Sequence, residues 1–217
     1  MIWKKEDIKL LEKRYRAAFI NSLSGFKSAN LIGTRSIEAH TNLSIVSSAI
    51  HLGSDPALMG IIFRPDIVER HTLENIRSTG FFTMNHVGAS FYDKAHQTSA
   101  RYDRSVSEFD ACGLGLEYID QFFAPFVKEA AIKMGLQFKE EISIKSNGTS
   151  MIVGQITIVQ FPDKLVAPDG YLDIEKAGTI AISGLDSYHT TRRMDRLSYA
   201  KADSLPQPLR FDTTQSI

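Results

Sequence analysis

Cysteine is almost missing from this 217-residue chain: Cys112 stands alone, which excludes an internal disulfide and any thiolate metal cluster built from one chain. An excess of either charge is missing too. Lys plus Arg number 25 and Asp plus Glu number 25, so no global field draws the chain to nucleic acid or to an anionic membrane. No apolar run approaches the length of a membrane span, and Met1-Ile2-Trp3-Lys4-Lys5-Glu6-Asp7 leads into a charged amphipathic stretch rather than an uninterrupted apolar one. A cytoplasmic protein is expected, and the sequons at Asn42 and Asn147 read as chance matches.

Signatures of other chemistries are lacking as well. The histidines at positions 40, 51, 71, 86 and 189 show no His-x-x-x-His or carboxylate spacing suited to a metal, so no metal site is expected. Gly113-Leu114-Gly115 lacks the third glycine of a dinucleotide fingerprint, and no Gly-x-Ser-x-Gly elbow occurs. There is no internal repeat, low-complexity linker or shift of composition. With 43% hydrophobic and 23% charged residues, the chain reads as one ordinary domain over residues 1–217, long enough to bury a substantial core.

What is present is a series of short elements. Apolar residues from Ile8 to Leu23 recur at helical spacing, predicting one N-terminal helix over about 6–23. Ala29 to Thr34, Leu43 to Ala49 and Leu58 to Phe63 read as strands, with Ser54-Asp55-Pro56 as a turn. Thr72 is the expected N-cap of a short helix that Gly80 ends in a left-handed conformation, before a strand over Phe81 to His86. Ala89 to Arg101 looks helical, and a short turn begins at Ser107-Glu108-Phe109. Phe126 to Ile144 alternates in part, Met151 to Phe161 alternates again after the Asn147-Gly148 turn, and the two runs form the clearest hairpin. From Asp203 the chain reads as an extended tail, loosely packed or lying on a partner subunit. Many strands with few helices favour an antiparallel β-barrel with peripheral helices.

The segment from Asn42 to Asn85 is the most informative. It runs Asn42-Leu43-Ser44-Ile45-Val46-Ser47-Ser48-Ala49, then Phe63-Arg64-Pro65, His71-Thr72-Leu73-Glu74-Asn75 and Phe81-Phe82-Thr83-Met84-Asn85. Hydroxyls of Ser44, Ser47 and Ser48 near a strand end suit the polar rim of a ring ligand, although such residues often only face water. Arg64 leaves a strand end, where its forked guanidinium suits a phosphate, with Pro65 stiffening the exit. Thr72, Asn75 and the free N–H groups of a helix start favour an anion, and His71 adds a donor.

In order and spacing these residues resemble the flavin reductase-like, FMN-binding split-barrel family, over roughly Gly25 to Tyr199, including Tyr188 and Arg193-Met194-Asp195-Arg196-Leu197-Ser198-Tyr199. The resemblance implies a mainly β fold with peripheral helices, an antiparallel Greek-key split β-barrel that binds FMN. It assigns cofactor contacts to Asn42, Ser44, Ser47, Ser48, Ala49, Arg64, Pro65, His71, Thr72 and Asn75; Asn85 matches the pattern too, with a structural role as the alternative. It further implies a homodimer with flavin near the subunit interface and a flavoprotein oxidoreductase of the NAD(P)H-dependent flavin reductase kind, with NADH or NADPH as donor.

His96 and Ser99, three apart on an expected helix, would share a face toward the flavin edge or substrate pocket and are the candidates for a catalytic role. A hydrolytic His-Ser pair is disfavoured because no third orienting residue can be named. Many relatives carry Gly-Asp-His before the late strand, where this chain reads Gly148-Thr149-Ser150. A non-catalytic FMN carrier or sensor is therefore an alternative, and an oxidase of the pyridoxine-phosphate kind ranks last because no second basic cluster is present.

Overall fold

The computed structural model describes residues 1–65 and 69–209. In chain order the first elements are α1 (Lys5–Leu10), α2 (Lys13–Ser22), β1 (Lys27–Ser28), β2 (Asn30–Arg35), β3 (Thr41–Val46), β4 (Ala49–Ser54), β5 (Ala57–Phe63), α3 (His71–Thr79) and β6 (Phe81–His86). Then come α4 (Tyr92–Gln97), α5 (Glu108–Ala111), β7 (Leu116–Glu117), β8 (Phe126–Val127), β9 (Lys133–Ile144), β10 (Thr149–Gln160), β11 (Ala181–Ser183) and β12 (Ser187–His189).

Seven strands form one antiparallel sheet in the order β3-β2-β6-β9-β10-β5-β4. Its two edge strands, β3 and β4, are consecutive in sequence and separated only by Ser47 and Ser48. A flat sheet cannot bring its opposite edges so close, so this one curls into a barrel that stays split between β3 and β4. Ser48 fixes the corner by donating its hydroxyl to the Ile62 carbonyl at 2.8 Å.

Strand alternation gives the sheet two buried faces. Ile32, Ile61, Phe82, Met84, Leu136 and Ile152 fill the interior with Leu73 and Ile76 of α3. On the other face Leu31, Leu43 and Val87 pack with Phe91, Phe109 and Ile182. Cys112 lies in this outer core, its Sγ 3.6 Å from the Tyr102 hydroxyl. Close approach sets the glycine at position 33, where a Cβ would collide with the Pro125 carbonyl oxygen and the Thr83 hydroxyl.

Several expectations hold: β2, β5 and β6 fall where strands were expected, Gly80 ends α3 at φ 78°, and β9 and β10 form the long hairpin, although its first limb starts at Lys133 and not at Phe126, which with Val127 forms β8 against β7. Others do not. The single N-terminal helix is two, because the Glu12 carboxylate accepts from the N–H groups of Arg14 and Tyr15 and starts α2 afresh. The strand expected from Leu43 to Ala49 breaks at the Ser47-Ser48 corner, beyond which β4 begins. Helix over Ala89 to Arg101 shrinks to α4, since Gly88 bridges Thr179 and Ala89 N–H donates to the Gly178 carbonyl, anchoring that stretch to the next layer. Thr72 is not an N-cap: Arg70 holds that position, its N–H taken by the Glu74 carboxylate, and Thr72 turns toward β3. The tail expected from Asp203 is described to Leu209; the rest lies outside the described residues.

Where β6 ends, a hollow of about 250 Å³ is lined by His86, Ser90, Phe91, Glu129 and Thr179. Burial pushes the His86 imidazole down from 6.5 to about 4, because a protonated ring loses its hydration there. The folded chain therefore refuses a proton that the unfolded chain accepts near pH 6.5. Stability is full above that pH and falls as pH drops from 6.5 toward 4, by on the order of 3 kcal/mol. Urea unfolding across that range should show the loss in the wild type and a shallower one in His86→Gln; equal slopes would contradict it.

Candidate functional site

Next to the interior core, the sheet face toward α3 becomes polar near one end. Register pairs Thr34 with Asn42 and Ile32 with Ser44, so Thr34, Asn42 and Ser44 share the face that α3 covers. From the helix, Thr72 and Asn75 reach down to them. Thr72 Oγ1 lies 2.6 Å from Asn42 Oδ1 and 2.9 Å from Ser44 Oγ, and Asn75 Nδ2 donates to Thr34 Oγ1 at 3.1 Å. Asn42, Thr72 and Asn75 are buried, while Ser44 is half-buried.

The structure thus joins Asn42, Ser44, Thr72 and Asn75 in one network, in which Asn42 and Thr72 engage protein partners through their side chains and Asn75 does so through Nδ2. Their part is to hold Ser44 and the first turn of α3 in place. Sequence reading missed Glu108, which completes the network from α5: its carboxylate accepts from Asn42 Nδ2 at 2.9 and 2.8 Å and from Leu43 N–H at 2.9 Å. Since β3 is an edge strand, this carboxylate also covers an edge N–H that no strand pairs. The only available signal was an acidic residue following Ser107 in the short turn at Ser107-Glu108-Phe109.

A second group surrounds the corner between β3 and β4. Ser47 and Ala49 flank Ser48 and are half-buried, as is Pro65, and Arg64 emerges exposed just past β5. Among the described residues the Arg64 guanidinium makes no hydrogen bond or ion pair. Arg70, at the start of α3, donates from Nε and Nη2 to the Pro65 carbonyl at 3.4 Å each, tying the exit of β5 to the helix start. The helix's first N–H groups have no intrahelical acceptors, and the Arg70 bonds to the Pro65 carbonyl place that positive helix end beside the chain exit that carries Arg64.

His71 is half-buried, its Nε2 3.6 Å from Glu69. With His40, Thr41, Asn42, Asn75 and Arg104 it lines a shallow crevice beside the network. Arg104 is committed to Glu69 and Glu74, and this pairing holds the Glu69 carboxyl below its ordinary range.

The other candidates stand apart. His96 is in the last turn of α4 and Ser99 falls beyond the helix end, so the shared helical face does not form. His96 Nδ1 is instead 2.8 Å from the Tyr188 hydroxyl, and the Tyr92 ring packs against Tyr188 at a 5.4 Å centroid distance, tilted by 49°. Burial raises the Tyr188 phenol above its ordinary value. Asn85 is structural: its side chain donates to the Leu31 carbonyl and Thr83 and accepts from Val127 N–H. The turn at Gly148 abuts Pro65, with 3.6 Å between a Cβ at Gly148 and the proline ring, and Ser150 pairs with Phe63. The turn at Gly148-Thr149-Ser150 therefore borders the Arg64 rim.

The residues on this rim fit a phosphorylated, hydrogen-bonding ligand such as FMN: Arg64 and the start of α3 for the anion, and Ser44 and Ser47 with hydroxyls near the surface.

Comparison with known proteins agrees with this architecture. A family model described as flavin reductase like domain matches residues 25–177. A protein from Shewanella frigidimarina NCIMB 400, described provisionally as a flavin reductase with split barrel domain, is 54% identical; the match covers 92% of this chain and 100% of that one, at a TM-score of 0.89. Nitrilotriacetate monooxygenase component B from Bacillus cereus superposes at a TM-score of 0.80 with 17% identity, over 91% of this chain and 98% of that one. The 2-nitrobenzoate 2-nitroreductase of Pseudomonas fluorescens gives 0.78 with 21% identity, over 95% and 99%. Those two likenesses speak for the fold. No curated protein matches in sequence. A family model spanning most of the chain, a relative sharing more than half its residues and a split barrel of the same design together make this chain a member of the flavin reductase-like, FMN-binding split-barrel family.

Proposed function

We propose that the protein binds FMN on the rim formed by the Ser47-Ser48 corner, Arg64-Pro65 and the first turn of α3, and acts as a flavin-dependent oxidoreductase reduced by NADH or NADPH. The observation that carries this reading is Arg64: an exposed guanidinium without a protein partner among the described residues, held beside a helix start through the Arg70 clamp on Pro65. Bound FMN supplies the redox chemistry. The chain's own work is to bind and orient it. Arg64 and the first N–H groups of α3 meet the phosphate, while Ser44 and Ser47 offer hydroxyls to the rest of the molecule. Asn42, Thr72 and Asn75 support these groups from beneath.

Replacing Arg64 tests the phosphate assignment without disturbing the buried network. Arg64→Ala should weaken FMN binding at least tenfold, since a charged hydrogen bond contributes about 1.5–3 kcal/mol, and should leave the unfolding midpoint unchanged. Quenching of flavin fluorescence reads the affinity, and a wild-type dissociation constant would remove Arg64 from the site.

A second reading, an FMN carrier or sensor without turnover, is favoured by Gly148-Thr149-Ser150 beside Pro65, a turn that carries no imidazole of its own. Anaerobic mixing of the FMN-loaded protein with NADH and with NADPH separates the two. Near-stoichiometric loss of flavin absorbance with either nucleotide is the expected result; persistence of the colour with both would favour the carrier.

We also propose a homodimer. No residue of α1 or α2 is buried, and Met194, Leu197, Tyr199 and Leu205 stand exposed on the C-terminal arm, as do Ile50 and Leu52 on edge strand β4. Apolar area of this extent calls for a partner surface. Light scattering after size exclusion should give twice the 24.2 kDa chain mass, and a monomer mass at micromolar concentration would reject the dimer.

A further inference from the structure

Glu108 is 5% exposed and no Lys or Arg pairs with it among the described residues. Its three hydrogen bonds come from neutral donors. A carboxylate only accepts hydrogen bonds, so the Asn42 amide nitrogen must point at Glu108 and the amide oxygen must point away, toward Thr72 and Thr34 at 2.6 and 3.3 Å. Both threonines then donate to Asn42. Each hydroxyl has one proton, so Thr34 accepts from Asn75 Nδ2, and Thr72 accepts from Ser44 across 2.9 Å. One acidic residue thus sets the direction of every proton in the chain from α5 to Ser44.

We propose that Glu108 is a positioning residue that fixes the hydrogen-bond polarity of the ligand-facing Ser44: its proton is committed inward to Thr72, so it meets a bound flavin as an acceptor and selects a ligand N–H or O–H. The inference rests on the placement of FMN beside Ser44.

Glu108→Gln reverses the chain. The new amide oxygen keeps the Leu43 N–H, and the new amide nitrogen confronts the Asn42 amide nitrogen, which relieves the clash by flipping its amide. Asn42 then donates to Thr72, Thr72 donates to Ser44, and Ser44 presents a proton where it had presented a lone pair. Adding Asn42→Asp to that variant restores the original order. The carboxylate introduced at position 42 accepts from the amide introduced at position 108 and from Thr34 and Thr72, and the negative charge has only moved along the chain.

FMN affinity and the unfolding midpoint of the FMN-free protein are measured for the wild type, Glu108→Gln and Asn42→Asp/Glu108→Gln. The expected result is binding about tenfold weaker in the single variant and recovery to within about threefold of wild type in the double. A single variant that binds like the wild type, or a double variant that stays as weak as the single while folding normally, overturns the proposal. Side-chain amide NMR of the FMN-free protein gives an independent reading. The Asn42 NH₂ protons should show nuclear Overhauser contacts to α5 in the wild type and to Thr34 and Thr72 in Glu108→Gln; unchanged contacts overturn the polarity assignment. A wild type that fails to bind FMN rejects the flavin site instead, and the NMR comparison still decides whether Glu108 sets the proton order.

Discussion

Two residues, Ser47 and Ser48, join the opposite edges of a seven-stranded sheet, and the rest of the molecule follows from that constraint. The sheet must curl, its concave side must be filled, and the corner itself must be held against two strands that diverge from it. The hydroxyl of Ser48 does the last by bonding the Ile62 carbonyl in place of a strand partner. Apolar side chains and α3 do the filling. Because the corner lies where β5 also ends, the curl delivers Ser47, Ala49, Arg64 and Pro65 to one rim.

The polar belt between β3 and α3 has a different role from the rim. Burying Asn42, Thr72, Asn75 and Glu108 is tolerable because each finds partners, and among the described residues no buried side-chain nitrogen or oxygen is left without one. Such a belt resists sliding of the helix along the strand, since any shift breaks several bonds together. The belt therefore sets the register of α3, and with it the position of the helix end that faces the rim.

Sequence carried the local features well. Gly80 ends a helix because glycine accepts a positive φ, and the β9–β10 hairpin follows from alternation around a flexible turn. Both depend on neighbours in the chain. What sequence could not carry depends on partners far along it. Thr72 looks like a cap by position, yet Asn42 and Ser44, about thirty residues earlier, claim its hydroxyl. Glu108 reads as a helix-start acid until β3 is laid beside it, 65 residues away. The break after Leu11 rests on Glu12 serving as a cap, a role that glutamate plays less often than serine or aspartate. Of the candidate site, the rim was legible as residue types in order; the division between rim and support was not.

Cys112 sits in the outer core against Tyr102, on the side of β2 opposite the barrel interior. Burial pushes its thiol above the ordinary range, and the nearby Glu108 carboxylate adds to this. As the chain's single sulfhydryl, it is inert while that layer stays closed and becomes reactive when the layer opens. Its rate of alkylation is thus a clock for loosening of that face.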